Sequence, residues 1–201
     1  MIYQATVELD DIANAFPAVH RIAVALSTTY WPIAWPSPEL TTLTLVTGES
    51  HLSLPVRPPD PADAALRPYE PAEMAAPTPI TDRPVAAAHR RAIRRDLLSG
   101  TMEVDFPRWT YCHEMPDIGQ TVTSDALARY RITDGDPLSA ECETEANVVI
   151  ERSDGAFGHH STGRLSCDAT HFRVEMTLRI TENGAEIFQR RWDQRIARDH
   201  V

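Results

Sequence analysis

The sequence predicts an all-β domain, built as a β-sandwich or jelly roll, on three observations. Apolar and polar residues alternate along many short segments, which is the pattern of strands with one buried face. Asn183-Gly184 lies between two such segments and is the strongest short signal for a two-residue hairpin. About eight to ten strands with one apolar face each must bury those faces against one another, which two packed sheets achieve.

The alternating segments occur in both halves of the chain. The clearest one runs over residues 172–180, where Phe, Val, Met, Leu and Ile alternate with Arg, Glu and Thr, and a further strand follows the Asn-Gly pair at residues 187–192. The other predicted strands lie at residues 3–9, 22–26, 43–45, 52–56, 102–106 and 142–150.

A proline-rich arm, residues 55–84, separates the two groups of strands and contains nine of the sixteen prolines. Proline cannot donate to a ladder, so the arm is predicted to be a long crossover loop within a single domain covering residues 1–201. Its length also permits an interdomain linker. Residues 85–100, which end at Gly100, are predicted to form a short helix on propensity.

Composition narrows the possible functions. The formal net charge is −10, which disfavours extended contact with nucleic acid, because such contact needs clustered cations. The three cysteines are odd in number and widely spaced, which indicates a reducing, cytoplasmic location and no disulfide framework. The N-terminus lacks the features of a signal peptide, and no segment has the length of a membrane span. We therefore expect a cytoplasmic protein without membrane or nucleic-acid partners.

Two motifs resemble parts of catalytic sites but are incomplete. Gly48–Leu52 begins like a nucleophile elbow, but Leu52 replaces the closing glycine and the flanks read as strands, so a hairpin turn is predicted. His113–Asp117 lacks the second histidine of a zinc-binding helix and is predicted to be a loop. Asp134 and Asp136 lie in a Gly-containing turn, where such residues are expected.

A metal site is the third chemical possibility. His159 and His160 could join Cys167 and His171 around a zinc ion, but only their proximity in sequence supports it. We therefore predict no catalytic, cofactor-binding or metal-binding residue, and no cofactor.

The aromatic stretch Tyr30, Trp31 and Trp35 is the best candidate for an interaction. It follows a predicted strand, and Pro32, Pro36 and Pro38 stiffen it and prevent regular pairing. Three interpretations stay open: the rings fill one end of the core, they pack against a neighbouring domain, or they stack on a sugar.

Several segments together resemble the C-terminal domain of X-prolyl dipeptidyl peptidases and cocaine esterase-like serine hydrolases. The first of them follows the family pattern of an Ala-x-x-Phe segment, a His-Arg pair, and an edge strand of a jelly roll. The resemblance covers nearly the whole chain apart from the arm, over residues 8–39, 43–57, 136–140, 164–184 and 190–199.

The resemblance implies a galactose-binding-like jelly roll that follows an α/β-hydrolase domain. The Ser-Asp-His triad of the family lies in that upstream domain, which this chain is expected to lack, so no residue here inherits a catalytic role. The resemblance also implies an activity that releases Xaa-Pro dipeptides from peptides or hydrolyses esters or amides, and a jelly roll that packs on the hydrolase domain and shapes access to its active site. One residue departs from the pattern: the family has glycine before the His-Arg pair, where this chain has Val19.

Two functional hypotheses follow. The first is a non-catalytic module of a serine hydrolase, inactive alone, with Tyr30, Trp31 and Trp35 at the domain interface. Its partner is the hydrolase domain or, if that is missing, a second copy of the chain. The alternative is a free-standing jelly-roll module that binds a carbohydrate or a protein.

Overall fold

The computed structural model describes residues 2–85 and 90–199, and it confirms the all-β prediction. These residues contain two short 3-10 helices, Pro61–Ala65 and Pro116–Ile118. They also contain eight strands: β1 (Thr81–Arg83), β2 (Ala92–Arg95), β3 (Thr101–Met115), β4 (Gln120–Thr133), β5 (Asp136–Arg152), β6 (Gly155–Cys167), β7 (His171–Glu182) and β8 (Ala185–Ala197).

The strands form one antiparallel sheet in the order β1-β3-β4-β5-β6-β7-β8, and β2 pairs with the other half of the same edge of β3. From β3 to β8 each strand pairs with the next one in the chain, so the sheet is a meander of long hairpins. The jelly-roll connectivity stays a prediction, because these ladders join strands of residues 81–197 only.

The turn between β7 and β8 confirms the predicted Asn-Gly hairpin. Asn183 has φ 50° and Gly184 has φ 81°, the pair of positive values that a type I′ turn requires. The Asn183 side chain also accepts a hydrogen bond of 3.0 Å from the Ala156 amide at the start of β6. This contact fixes the turn against the neighbouring hairpin.

Register gives the sheet two chemically different faces. Residues opposite one another in an antiparallel ladder share a face, so each row can be followed across β3 to β8. The apolar face includes Val122, Tyr130, Cys142, Val148, Ile150, Phe157, Leu165, Phe172, Val174, Leu178, Ile180, Phe188 and Trp192. The polar face includes Glu103, Asp105, Arg129, Arg131, Glu141, Arg164, Glu175, Arg191 and Asp193.

Much of the apolar surface stays exposed. Among the described residues of the sheet, the buried apolar side chains are Ala126, Ala128 and Ala140, all on the apolar face. The chain exposes 16546 Å², whereas a folded monomer of 22.4 kDa exposes about 9,400 Å². The apolar face therefore has room for a covering layer.

The strands predicted at residues 3–9, 22–26, 43–45 and 52–56 are wrong in this structure. These residues are exposed and take part in no ladder. Alternation identifies which side chains would share a face, but a strand also needs a neighbour for its N–H and C=O groups. The meander strands have such neighbours two to four residues away, and the early segments do not.

Two further predictions concern the middle of the chain. The arm, residues 55–84, is mostly exposed and unpaired, apart from its short 3-10 helix and β1 at its end. The helix predicted at residues 85–100 is wrong over the described residues 90–100, because Ala92–Arg95 is strand β2. Residues 86–89 of that prediction lie outside the described residues. Arg94 explains the strand, because it pairs across the ladder with Glu103 and Asp105.

Val19 has the backbone conformation that the family glycine would favour. It has φ 73° and occupies the third position of a turn in which the His20 amide donates to the Pro17 carbonyl over 3.2 Å. Glycine is the usual residue there, because a β-branched side chain crowds the backbone at positive φ. We expect Val19→Gly to stabilise the turn by about 1 kcal/mol. The temperature dependence of the His20 amide shift measures this change.

The matched control for this turn is Ala18→Gly, one position earlier, where φ is not positive. Glycine there adds freedom to the open turn without relieving strain, so we expect it to weaken the turn. Equal effects of the two substitutions would contradict the assignment of strain to Val19.

Candidate docking surface

Among residues 2–60, the partly or fully buried residues all lie in the aromatic corner, residues 30–38, which packs on the sheet. Its turn is closed by hydrogen bonds from the Ile33 and Ala34 amides to the Tyr30 carbonyl, at 2.8 and 2.9 Å. The Trp31 and Trp35 rings meet edge to face at 4.9 Å between centroids. Both rings are half-buried, so the corner is a small folded unit.

The corner lies on the apolar face of the sheet through three ring contacts. Trp31 meets Tyr130 of β4 edge to face at 5.9 Å, and Trp35 meets Phe172 of β7 in the same way at 5.6 Å. The Trp35 indole Nε1 also donates to the Cys167 Sγ over 3.2 Å. These contacts are with β4, β6 and β7, near the strand ends beside the β6–β7 turn, so the corner covers one end of the apolar face.

Arg198 fixes the corner from the other side, and the sequence pattern did not single it out. Its guanidinium donates to the Pro36 carbonyl at 2.6 Å and to the Asp168 carbonyl at 3.1 Å, and it lies 4.7 Å above the Phe172 ring. Arg198 is 9% exposed, and Pro36 is buried. A lone arginine after a strand carries no pattern signal, so only the fold reveals this contact.

The turn that positions Arg198 is held by Asp168. The carboxylate accepts from the Thr170 amide, the Thr170 hydroxyl and the His171 amide, and Arg195 pairs with it at 2.6 Å. These hydrogen bonds, that of the Thr170 amide above all, hold the pKa of Asp168 well below its usual value. The carboxylate is therefore ionised throughout the neutral range.

The outer side of the corner is solvent-exposed. Tyr30 is 65% exposed and Ile33 is 75% exposed, whereas Trp31 and Trp35 face the sheet. The predicted interface residues thus divide into two that anchor the corner and one, Tyr30, that points away from it. Their role at a domain interface stays a prediction.

The two incomplete catalytic motifs adopt ordinary structures. Residues 47–49 form a turn, in which the Ser50 hydroxyl donates to the Val46 carbonyl at 2.9 Å, but its flanks are not strands, so it is not the predicted hairpin. The segment His113–Asp117 was predicted as a loop, but its first three residues end strand β3 and its last two begin a 3-10 helix. Continuation of the β3–β4 ladder as far as Met115 explains the difference.

The histidines proposed for a metal do not converge. His159 and His160 are neighbours on β6 and therefore point to opposite faces, and His160 pairs with Asn147 at 2.6 Å. His159 and Cys167 are also separated by about 26 Å along the strand. Across residues 2–85 and 90–199, no three His, Cys, Asp or Glu side chains are grouped to hold a metal ion.

The Cys142 thiol is also unreactive at neutral pH. Cys142 lies on the apolar face, where burial raises the pKa of its thiol, so the thiol stays protonated at neutral pH. A protonated thiol is a poor nucleophile.

Within the described parts of the chain, no helix is long and apolar enough to cross a membrane.

The polar face carries a charge ladder, a row of cross-strand ion pairs that runs from β2 to β8. Its most buried member is Asp105, 5% exposed, which accepts from Arg94 at 2.5 Å and from Arg129 at 2.9 Å. Burial of Asp105 opposes its ionisation, but these hydrogen bonds outweigh burial and its pKa lies below the usual value. The ladder continues through Glu103, Arg131, Glu141, Arg164, Glu175, Arg173 and Asp193.

Residues 1–74 match the family model of the X-Pro dipeptidyl-peptidase C-terminal non-catalytic domain. The match includes the aromatic corner and confirms, over those residues, the resemblance predicted from the sequence. The part of the resemblance beyond residue 74 stays a prediction. No curated protein and no solved structure matches the chain. A non-catalytic C-terminal domain of a peptidase implies a catalytic domain with which it associates.

Proposed function

We propose that this chain is a non-catalytic module that packs on the α/β-hydrolase domain of an X-Pro dipeptidyl peptidase or related esterase and shapes access to its active site. The family match of residues 1–74 supports the class of protein. The peptide, ester or amide substrate belongs to the hydrolase domain. A cytoplasmic location is part of the proposal and follows from the cysteine pattern.

The observation that carries the proposal is the exposed tip of an anchored corner. Tyr30 and Ile33 project from a turn whose Trp31 and Trp35 are fixed to the sheet. An aromatic and an aliphatic side chain held in place lose little conformational entropy on binding, which is typical of the anchors in protein interfaces. We therefore assign the docking contact to Tyr30 and Ile33, with Trp31 and Trp35 as their support.

Closure of a jelly roll is a second part of the proposal. The exposed apolar side chains of residues 3–9, 22–26, 43–45 and 52–56 alternate as in strands, and the corner between them already lies on the apolar face. Residues 2–60, folded over that face, would give the two-layer architecture that the family resemblance implies. The hydrolase domain would then meet the rim of the sandwich.

The carbohydrate-binding alternative has weaker support. Sugars stack on exposed ring faces, whereas Trp31 and Trp35 meet each other and the sheet edge to face and are half-buried. Within the aromatic corner, Tyr30 is the ring that is open to solvent. Saturable quenching of tryptophan fluorescence by a glycan would favour this alternative over the hydrolase module.

The test mixes the full chain with the α/β-hydrolase domain of an X-Pro dipeptidyl peptidase prepared without its own C-terminal domain. We expect a complex in sedimentation velocity and a changed KM for Ala-Pro-p-nitroanilide, because the module borders the substrate entrance. Joint Tyr30→Ala and Ile33→Ala substitution should weaken binding about tenfold or more, the usual effect of removing interface anchors.

Leu40→Ala is the matched control, since Leu40 is 74% exposed but lies outside the corner. It should bind like the unmodified chain, and the chain alone should hydrolyse neither the anilide nor p-nitrophenyl acetate. Absence of any complex, or a complex insensitive to the double substitution, would contradict the docking assignment. Turnover that follows the purified chain through every fraction would contradict its non-catalytic role.

A further inference from the structure

Strand β8 leaves a long edge of the sheet open. It is last in the strand order and spans Ala185–Ala197, thirteen residues of which all but Trp192 are exposed. Its outer N–H and C=O groups meet no other strand among the described residues. Natural proteins usually shorten, bend or cover such an edge, because it is a template for pairing with another strand.

A second β8 is a chemically matched partner for this edge. In an antiparallel pair related by a two-fold axis, opposite residues share a face, so a residue of one copy meets a residue of the same face in the other. With the axis at Trp192, Phe188 meets Ile196 of the second copy on the apolar face. On the polar face, Arg191 meets Asp193 of the second copy. Each of these contacts occurs twice.

Three neighbouring registers place like charges opposite each other. An axis at Arg190 or at Arg191 sets two like guanidinium groups opposite each other, and an axis at Asp193 does the same for two carboxylates. Like charges directly opposite each other destabilise a ladder, so the sequence selects the Trp192 register among these four. Strand β8 is also nearly neutral, with three arginines and two carboxylates. Two copies of the strand therefore repel each other little, although the whole chain is strongly negative.

We propose that two copies of this chain associate through antiparallel pairing of their β8 strands about a two-fold axis at Trp192. The product is one continuous sheet with its apolar face on one side and its charge ladder on the other. Backbone hydrogen bonds and the Trp192, Phe188 and Ile196 side chains supply the affinity, while the Arg191 and Asp193 pairs select the register. This proposal does not depend on the hydrolase module proposed above.

The test uses two charge reversals that are incompatible alone and compatible together. In sedimentation equilibrium, we expect the unmodified chain to have twice its monomer mass of 22.4 kDa. Arg191→Asp places two carboxylates opposite two carboxylates, and Asp193→Arg places arginines opposite arginines, so each variant should lose at least tenfold in dimer affinity. An equimolar mixture should recover the dimer, because every opposed pair is then of opposite charge.

The mixture separates pairing from misfolding. Arg191 and Asp193 also contact Glu175 and Arg173 on β7, at 3.7 and 2.9 Å, so either variant could weaken the monomer. Mixing two weakened monomers would not restore a dimer unless the edges meet as proposed. Arg67→Asp, an equal change of charge in the proline-rich arm, should leave the dimer intact.

A cysteine at the axis tests the register directly. Trp192→Cys should form an intermolecular disulfide under mild oxidation, because opposite residues lie within disulfide distance. Gln194→Cys should not, since its opposite residue is Arg190 and the two introduced cysteines are four positions apart. A monomeric unmodified chain, a mixture that fails to recover the dimer, or equal crosslinking at both positions would each overturn the proposal.

Discussion

Trp35→Ala is expected to release the aromatic corner from the sheet and to lower the free energy of unfolding by about 2–3 kcal/mol. The substitution removes the ring that contacts both Trp31 and Phe172. It also removes the donor to Cys167 and leaves Arg198 beside a corner without its central ring. Chemical denaturation measures the loss, and Trp31 fluorescence should shift to longer wavelength as that ring becomes exposed to water.

Trp109→Ala is the matched control for this change. Trp109 is 68% exposed and lies in the bulge of β3, away from the corner. Its removal takes away the same ring but little packing, so we expect less than about 0.5 kcal/mol. Trp35→Phe should fall between the two, because it keeps a ring against Phe172 but loses the indole N–H. Equal stability of Trp35→Ala and Trp109→Ala would show that the corner does not stabilise the fold.

The second half of the fold follows in part from the sequence: alternation predicts strands within β3, β5, β7 and β8, whereas β4 and β6 carry no strand prediction. Strands β3 to β8 each pair with the next strand through a short turn, so alternation and turn residues together define both the faces and the register. The Asn183-Gly184 turn is the clearest case, since its residues favour the positive φ angles that it adopts. The predicted strands at residues 142–150 and 172–180 lie within β5 and β7.

The first half shows what alternation leaves open. Residues 3–9 alternate as cleanly as residues 102–106, yet only the latter form a strand. The difference lies in the partner: Val104 has Tyr130 opposite it in the β3–β4 hairpin, whereas a strand at residues 3–9 must find a neighbour far along the chain. Such pairing depends on loop closure and on the second layer of the fold, which a local pattern does not encode.

The sequence predicts the aromatic residues of the candidate site, but not the arginine that holds them in place. Tyr30, Trp31 and Trp35 are conspicuous in the sequence because aromatic residues combine with three prolines. Arg198 contributes a carbonyl contact and a ring contact from the far end of the chain, and no spacing links it to residue 36. The division between anchoring and exposed rings likewise required the contacts with Tyr130 and Phe172.

Asp105→Asn is expected to lower the free energy of unfolding at pH 7 by about 1–3 kcal/mol. The carboxylate is the shared acceptor of Arg94 and Arg129, and the amide that replaces it carries no charge. Burial opposes ionisation of Asp105, yet the two arginines keep its pKa below the usual value. The folded state therefore binds the proton less tightly than the unfolded state, in which an aspartate has a pKa of about 3.9.

The sign of this shift sets the pH dependence. The stabilisation by Asp105 is fully present above the unfolded pKa and is lost as the pH falls through the lower folded pKa. The difference between the unmodified chain and Asp105→Asn should therefore be large at pH 7 and shrink towards pH 2, as measured by urea denaturation at both pH values. Glu145→Gln, an equivalent change at an exposed site on the same face, should have little effect at either pH. A difference for Asp105→Asn that is constant with pH would mean that shape, and not the buried charge, holds Arg94 and Arg129 in place.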